Sequence, residues 1–268
     1  MTNMLEVADL GHTYGEHQAI AGLSFNVGAG ELVCVVGPSG CGKSTLLRTI
    51  SGLITPSHGS VDLNGDHLAV VFQDYSRSLF PWLSVQGNVE FPLRRTTKRA
   101  ERRRRAAEAL EWVGLTDAAK KNPWQLSGGM QQRVAIARAL AYQPSLLLMD
   151  EPFASVDAQT RFELEDLLLK VRRELGATVL VVTHDIDEAV YLGDRILVLS
   201  GSPARLVADL KVDLPAVRDQ VTTRTDEKFV TLRSRVARLL NVGKPTVDIA
   251  KWAAAERESL AEEALADR

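Results

Sequence analysis

The sequence GPSGCGKST occupies residues 37–45 and determines how the rest of the chain is interpreted. It follows the pattern G-x-x-x-x-G-K-S, in which glycines let the backbone turn tightly and bring its N–H groups close to a phosphate chain. Lys43 is long enough to reach the β- and γ-phosphates, and the Ser44 hydroxyl is a ligand for Mg²⁺. The predicted nucleotide-binding residues are Gly37, Pro38, Ser39, Gly40, Cys41, Gly42, Lys43, Ser44 and Thr45.

The residues on either side of this loop predict a strand before it and a helix after it. Residues 31–36 form a short run rich in apolar residues, typical of a buried parallel strand, and residues 44–50 read as a helix that stops near Gly52. The phosphates would therefore lie at a helix N-terminus, where the partial positive charge favours anions. An ordinary glycine-rich turn is the alternative, and the complete motif in this context favours nucleotide binding.

The composition indicates a globular protein with one large domain or two small ones. The chain has 268 residues, 45% of them hydrophobic, and its net charge of −2 does not indicate a whole-molecule attraction to nucleic acid. Cys34 and Cys41 lack a C-x-x-C partner, so free thiols in a reducing compartment are expected. The first residues do not resemble a signal peptide, and no apolar run approaches the ~18 residues of a membrane span. We therefore expect a soluble, cytoplasmic chain.

The predicted strands and helices alternate on both sides of a long helical block. Strands are predicted at residues 4–10 and 22–28, and residues 60–63 and 69–72 read as a hairpin-like pair around the turn Asn64-Gly65. Strands and helices alternate again over residues 146–199. This order is typical of an α/β fold with a parallel sheet and helices on both faces.

The helical block and the C-terminal end divide the chain further. Residues 85–142 read as mostly helical and are predicted to be a subdomain inserted into the sheet domain, which spans residues 1–240. Residues 226–240 read as a helix. Residues 241–268 are predicted to be a helical or partly disordered tail.

Two further motifs carry candidate chemistry. Asp150 and Glu151 follow four apolar residues, so they are expected at the carboxyl end of a strand, where Asp150 would hold Mg²⁺ and Glu151 would polarise or deprotonate the attacking water. Ser127-Gly128-Gly129 opens a helix and forms a second candidate anion-binding terminus. The alternatives are that the acids begin a loop, and that Ser127 caps the helix after a flexible turn.

Together these motifs resemble the ATP-binding subunit of an ABC transporter over roughly residues 4–240. The stretches VFQD at 71–74, LFPW at 79–82 and EPF at 151–153 are similar to the nitrate, sulfonate and taurine import group. The resemblance implies the ABC ATPase fold: an α/β core with a P-loop NTPase-type parallel sheet, an N-terminal antiparallel β subdomain and the inserted α-helical subdomain.

The resemblance also implies a role for each motif residue. Tyr14 would stack on adenine, Gln73 would reach Mg²⁺ and the attacking water, and His184 would contact the γ-phosphate. Residues 126–131 match the family signature, which contacts ATP held by the other subunit, although Met130 departs from the common pattern, as does Val156 beside Asp157. The implied catalytic residues are Lys43, Gln73, Glu151 and His184; the implied Mg²⁺ ligands are Ser44, Gln73 and Asp150; further implied nucleotide contacts are Tyr14, Ser127, Gly128, Gly129 and Asp157.

The implied function is ATP hydrolysis that drives an importer for a small solute, such as nitrate, a sulfonate or taurine. Two copies would form a head-to-tail homodimer at the cytoplasmic face of the membrane. They would bind separate permease subunits, served by an extracytoplasmic solute-binding protein, with ATP and Mg²⁺ as cofactors.

Other ABC classes are alternatives to this reading. An exporter subunit remains open. A DNA-repair ATPase would need a long coiled coil, for which the 106 positions between Ser44 and Asp150 leave no room. A translation factor would carry two cassettes, and a purely regulatory module would not need Glu151 and His184.

Several charged residues and histidines lie outside these motifs. The basic run is either a nucleic-acid patch or a solvated helix face; its interleaving with Glu101 and Glu108 favours the solvated face, and no nucleic-acid partner is expected. The run consists of Arg94, Arg95, Lys98, Arg99, Arg102, Arg103, Arg104 and Arg105. His12, His17, His58 and His67 show no metal-ligand spacing.

Two further features of the sequence predict surface properties. Cys41 is expected to be a reactive thiol that ATP shields, because the helix N-terminus and Lys43 favour a thiolate. Leu79, Phe80 and Trp82, in the loop after Gln73, are expected to dock a short helix of the permease. The alternative is that Trp82 packs into its own helical subdomain.

Overall fold

Nine strands and nine helices form the part of the chain that the computed structural model describes, residues 3–65 and 67–240. In chain order the strands are β1 (Asn3–Tyr14), β2 (His17–Gly28), β3 (Leu32–Val36), β4 (His58–Leu63), β5 (Leu68–Val71), β6 (Leu146–Asp150), β7 (Thr178–Thr183), β8 (Arg195–Leu199) and β9 (Leu206–Lys211). The helices are α1 (Lys43–Ile50), α2 (Tyr75–Ser78), α3 (Val85–Glu90), α4 (Arg99–Trp112), α5 (Gly128–Ala141), α6 (Ala158–Leu175), α7 (Ile186–Leu192), α8 (Thr222–Thr225) and α9 (Glu227–Leu240). Short 3₁₀ turns lie at Phe91–Leu93, Thr116–Ala118 and Pro123–Gln125.

The central sheet has the strand order β5-β6-β7-β3-β8-β9 and is parallel except for β9. All five residues of β3 are fully buried, which explains why residues 32–36 are apolar without alternation. Val33 and Val35 face a core shared with α1 and the N-terminal strands. The other residues of β3 face a core shared with the helical insertion and with α6, α7 and α9.

The carboxyl ends of four parallel strands meet at one edge of this sheet. Val36 pairs with Thr183, Val71 pairs with Met149, and Asp150 pairs with Val182. The segments that follow β3, β5, β6 and β7 therefore leave the sheet side by side, in the position where open α/β sheets bind ligands.

A second, antiparallel sheet has the order β2-β1-β4. The predicted hairpin between residues 60–63 and 69–72 is wrong, because β4 pairs with β1 whereas β5 pairs in parallel with β6. The turn residue Asn64 is hydrogen-bonded to β1. Its backbone N–H donates to the Met4 carbonyl and its side-chain amide donates to the Asn3 carbonyl, both at 2.9 Å. The two neighbouring strands thus belong to different sheets.

The helices between β5 and β6 pack on one another through small and aliphatic side chains. Val85 and Val89 of α3, Leu110 of α4 and Val134 of α5 are almost fully buried there. The predicted fold, a parallel sheet core with an N-terminal antiparallel sheet and inserted helices, is confirmed.

The last described helix, α9, packs on α7 and β8 and buries Phe229 and Val236. It matches the helix predicted at residues 226–240. The predicted tail at 241–268 lies outside the described residues. Among the described helices, none combines the length and hydropathy of a membrane span.

Candidate functional site

The phosphate loop connects β3 to α1 and has a backbone that glycine makes possible. Gly42 precedes α1 with φ 112°, and a Cβ there would lie 2.7 Å from the Ala19 carbonyl oxygen, so any larger residue would distort the loop. The Lys43 side chain is buried, and its ammonium donates to the carbonyl oxygens of Gly37 (2.7 Å) and Pro38 (2.9 Å). These two contacts hold the positive charge inside the curve of the loop.

A cavity of about 260 Å³ opens beside this loop. Its lining includes Glu151 and, from the N-terminal sheet, Tyr14 and His17, and the phosphate-loop residues in it are Ser39, Gly40, Gly42, Lys43, Ser44 and Thr45. Tyr14 is half exposed and lies edge-on to His12, with ring centroids 4.5 Å apart. Sequence analysis missed His17, although Tyr14 and His17 flank a two-residue turn and therefore pair directly.

A larger cavity, of about 680 Å³, lies around Gly30 and the start of β8. Its arginines are already paired, Arg195 with Glu31 and Asp209 and Arg172 with Asp194. The smaller cavity, which the phosphate loop lines, is therefore the better candidate for binding phosphate.

Asp150 ends β6 close to the start of α1. Its carboxylate accepts a long hydrogen bond from the Ser44 hydroxyl, at 3.4 Å. Loss of water raises the pKa of Asp150 above its ordinary value, with Glu151 adding to the rise and Ser44 opposing it. Ser44, Asp150 and the nearby Gln73 offer oxygen atoms, the donors that Mg²⁺ prefers, so this donor set fits the ion.

Three predicted catalytic residues converge at the strand edge. One carboxylate oxygen of Glu151 accepts a hydrogen bond from the Gln73 amide at 3.2 Å and lies 3.1 Å from Nδ1 of His184. Glu151 has φ 44°, rare for a residue with a side chain, and its N–H donates to the Val182 carbonyl at 2.8 Å. Such backbone strain costs about 1–3 kcal/mol and is typical of functional sites.

The other predicted nucleotide contacts form a separate group at the starts of α5 and α6. The Ser127 hydroxyl accepts the Met130 N–H at 3.3 Å, and Asp157 accepts the N–H and hydroxyl of Thr160 at 3.0 and 2.7 Å. These bonds to Thr160 hold the pKa of Asp157 below its ordinary value. Among the described residues, the lining of the cavity beside the phosphate loop does not include this second group, which consists of Ser127, Gly128, Gly129 and Asp157.

The starts of α5 and α6 touch each other. A Cβ on Gly129 would lie 2.4 Å from the Thr160 methyl group, so glycine permits this close approach. The fully buried Gln132 donates to the Pro152 carbonyl at 2.6 Å, directly after Glu151. Neither Thr160 nor Gln132 was predictable from the sequence, because such contacts depend on how the two helices pack.

The expected reactive thiol at Cys41 is wrong. The Cys41 side chain is 1% exposed and packs beside Gly37. Burial raises the pKa of this thiol, although Lys43 lowers it in part. Cys34 is fully buried as well, and burial raises the pKa of that thiol.

The proposed docking loop needs two corrections. Leu79 is 3% exposed and belongs to the core of the inserted helices, so it cannot receive a partner. The alternative that Trp82 packs internally is also wrong, because Trp82 is 73% exposed. Phe80 instead lines an apolar cleft of about 430 Å³, together with Leu68, Ala69, Val70, Phe91, Pro92, Arg138, Ala139 and Tyr142.

The sequence of this chain is similar to those of ATP-binding proteins of transporters. The sequence pattern of the ABC transporter family matches residues 20–154. The aliphatic sulfonates import ATP-binding protein SsuB 2 of Burkholderia lata is 45% identical over 242 residues, which cover 88% of this chain and 85% of that protein. The bicarbonate transport ATP-binding protein CmpD of Synechococcus elongatus is 42% identical over 231 residues, 82% of each chain.

A solved structure resembles most of this chain. The dimeric post-hydrolysis state of the ATP-binding cassette MJ0796, bound to ADP and Pi, has a TM-score of 0.68 to this chain at 38% identity. The match covers 78% of this chain and 99% of that one.

Proposed function

Because this chain belongs to the ABC transporter family and is an ATP-hydrolysing subunit, we propose that it powers the import of a small anionic solute, with each ATP held between two head-to-tail copies. The observation that carries the catalytic part is the convergence of Gln73 and His184 on one oxygen of Glu151, beside the phosphate loop. We assign the catalytic unit to residues 1–240.

The phosphate loop provides the binding energy for ATP. Gly42, Lys43 and Ser44 line the cavity in which the phosphates would lie, so their backbone N–H groups and the Lys43 ammonium would contact the phosphates, and Tyr14 at the cavity wall would stack on adenine. Ser44, Asp150 and Gln73 would hold Mg²⁺, which neutralises phosphate charge when bound.

Glu151 would act on the attacking water. The water oxygen forms a bond to the γ-phosphorus while the bond from phosphorus to the bridging oxygen breaks in line with it, and the water proton passes to Glu151. Gln73 orients that carboxylate, and His184 and Lys43 stabilise charge on the γ-phosphoryl oxygens. The left-handed backbone at Glu151 keeps its side chain directed toward Gln73 and His184.

A second copy would complete each site. Ser127, Gly128, Gly129 and Asp157 lie outside the cavity of their own chain, so in a head-to-tail pair they are available to the ATP bound by the partner subunit. The dimeric arrangement of the MJ0796 cassette supports this proposal.

The variant Glu151→Gln tests this proposal. It removes the proton acceptor and keeps the side-chain shape, so ATP should bind without being consumed and should hold two chains together. Size-exclusion chromatography should show a dimer with ATP and a monomer with ADP, whereas the exposed-site control Glu174→Gln should hydrolyse ATP normally. Undiminished ATPase activity of Glu151→Gln would refute the assigned base.

In the proposed transport role, the dimer would act together with other proteins. We place the dimer at the cytoplasmic face of the membrane, bound to separate permease subunits and served by an extracytoplasmic solute-binding protein. The name of the relative from Burkholderia lata supports import. The names of both relatives support a small anionic solute, since sulfonates and bicarbonate are of that class. The apolar cleft around Phe80 and Phe91 would receive a short helix of the permease.

A further inference from the structure

Positive charge is concentrated on one short part of this chain. Residues 90–108 contain eight Lys or Arg and three Glu, whereas the net charge of the whole chain is −2. The remainder of the chain is therefore acidic, and the excess of positive charge lies on the inserted helices around the start of α4.

The glutamates of this segment are all used in ion pairs. Glu90 pairs with Arg102 at 3.1 Å, Glu101 pairs with Arg104 and Arg105, both at 2.7 Å, and Glu108 pairs with Arg104 at 2.5 Å. The interleaving of charges seen in the sequence thus accounts for three of the arginines.

Five basic side chains remain, and we call them the basic surface: Arg94, Arg95, Lys98, Arg99 and Arg103. All five are exposed, and no carboxylate of residues 3–65 or 67–240 lies within ion-pairing distance of any of them. Arg95, Arg99 and Arg103 follow one another at intervals of four residues, which places Arg99 and Arg103 on one side of α4.

The basic surface borders the apolar cleft. The Arg94 guanidinium lies 5.5 Å above the ring of Phe91, which is 43% exposed and whose ring centroid is 4.3 Å from that of Phe80. Both aromatic rings line the cleft, and the 73% exposed Trp82 lies next to Phe80, with centroids 5.3 Å apart. If the cleft receives the permease, this side of the molecule faces the bilayer.

We propose that the basic surface binds anionic phospholipid headgroups beside the permease. Arginine donates paired hydrogen bonds to phosphate oxygens, and exposed aromatic rings next to basic side chains suit the polar layer of a bilayer. This inference rests on the proposed transport role. Each basic residue near an anionic membrane surface should contribute about fivefold to the partition coefficient.

Vesicle co-sedimentation of the full chain tests this inference. Wild-type protein should bind vesicles of phosphatidylcholine with phosphatidylglycerol, bind pure phosphatidylcholine weakly, and dissociate at high salt. The triple variant Arg95→Ser, Arg99→Ser, Arg103→Ser should lose about two orders of magnitude in partitioning, by the fivefold figure for each residue. Replacement of the same three residues by lysine should retain most of the binding.

A charge-matched control separates this surface from net charge. Lys170→Ser, Arg173→Ser, Lys211→Ser removes three exposed charges elsewhere and should bind vesicles nearly as well as the wild type. Equal binding by the two serine triples, or equal wild-type binding to neutral vesicles, would overturn the inference. The inference would also be overturned if the variant Arg95→Ser, Arg99→Ser, Arg103→Ser bound vesicles normally but failed to assemble with detergent-solubilised permease. That result would show that the basic surface binds an acidic protein surface instead.

The ATPase rate of each soluble variant keeps the two proposals distinguishable. All of these variants should hydrolyse ATP at the wild-type rate in solution, because the substituted residues lie outside the nucleotide cavity. A wild-type protein that does not hydrolyse ATP would count against the proposed catalytic mechanism. A wild-type protein that hydrolyses ATP but does not bind anionic vesicles would overturn the lipid inference alone.

Discussion

Burial raises the pKa of Asp150, because the carboxylate at the end of β6 has lost water and the Ser44 hydroxyl compensates for this in part. The folded chain therefore holds this proton over a pH range in which the unfolded chain has released it. In that range, above the ordinary pKa of aspartate, the free energy of unfolding decreases as the pH rises. Without a bound ion, the desolvated Asp150 carboxylate therefore lowers the stability of the folded chain at neutral pH.

We expect Asp150→Asn to stabilise the ATP-free chain by about 1 kcal/mol at neutral pH while it abolishes hydrolysis. The amide keeps the shape of the side chain and has no charge to desolvate. Thermal melts should show this gain at pH 7 and lose it at pH values low enough to protonate the aspartate of the wild type. The exposed-site control Asp117→Asn should melt like the wild type; a less stable Asp150→Asn at pH 7 would contradict this account.

The positions of the candidate site residues were predictable where a strand determines them. Asp150, Glu151 and His184 directly follow apolar runs, and parallel strands bring such residues to one edge. The orientations of Cys41 and Leu79 were not predictable. Both point into cores formed by residues distant in sequence, so local chemistry suggested a reactive thiol and a docking side chain where the packing buries both.

Helices α6 and α7 are joined by an ion pair close to the site. Nη1 of Arg161, one turn into α6, donates to Asp185 at 2.9 Å. Asp185 directly follows His184 and caps α7 by accepting the N–H groups of Asp187 and Glu188. Arg161 therefore acts as a positioning residue that links the helix capped by Asp157 to the segment that carries His184.

We expect Arg161→Met to lower kcat about tenfold or more, because a small displacement of His184 would weaken the contact that we propose between this residue and the γ-phosphoryl group. The KM for ATP should change little, since the phosphate loop is untouched. Arg161→Lys should recover much of the rate by restoring the charge. Steady-state ATPase kinetics on the three proteins decide this, and an unchanged kcat in Arg161→Met would show that the ion pair does not position His184.

The apolar cleft between β5 and the inserted helices should be the contact for the permease. Phe91→Asp places a charge on a half-exposed wall of the cleft, so it should weaken assembly with the permease and leave ATP hydrolysis by the isolated subunit unchanged. A pull-down with the membrane subunit and a thermal melt measure both effects. The buried-site comparison Leu79→Asp should unfold the chain, and normal assembly of Phe91→Asp would exclude the cleft.

The identities of most elements were predictable from the sequence, but one pairing was not. Asn64-Gly65 signals a turn, and a turn does not specify which strands pair across it. The decisive difference is that residues 68–71 are uniformly apolar and suit a parallel sheet, whereas residues 58–63 are mostly exposed and suit the edge of an antiparallel one. That choice depends on burial against β6 and β1, which lie far away along the chain.

At the scale of the whole molecule, the predicted nucleotide contacts fall into two groups that one chain does not bring together. The cavity group surrounds the phosphate loop, and the second group begins α5 and α6. The sequence revealed both groups as motifs. The separation of the two groups within one chain could not be predicted from the sequence, because the distance between two motifs depends on how the inserted helices pack on the sheet.

The strand order also implies how fast backbone amides exchange with heavy water. β3 lies between β7 and β8 and is fully buried, whereas β5, which leads to Gln73, is an outer strand of the same sheet. Deuterium should therefore enter β3 only when the whole chain unfolds, and enter β5 far sooner through local opening. ATP should slow uptake most visibly in β5 and the segment after it. Mass spectrometry of deuterated peptides would reveal this contrast, and equal protection of β3 and β5 would mean that the segment carrying Gln73 opens only with the sheet core.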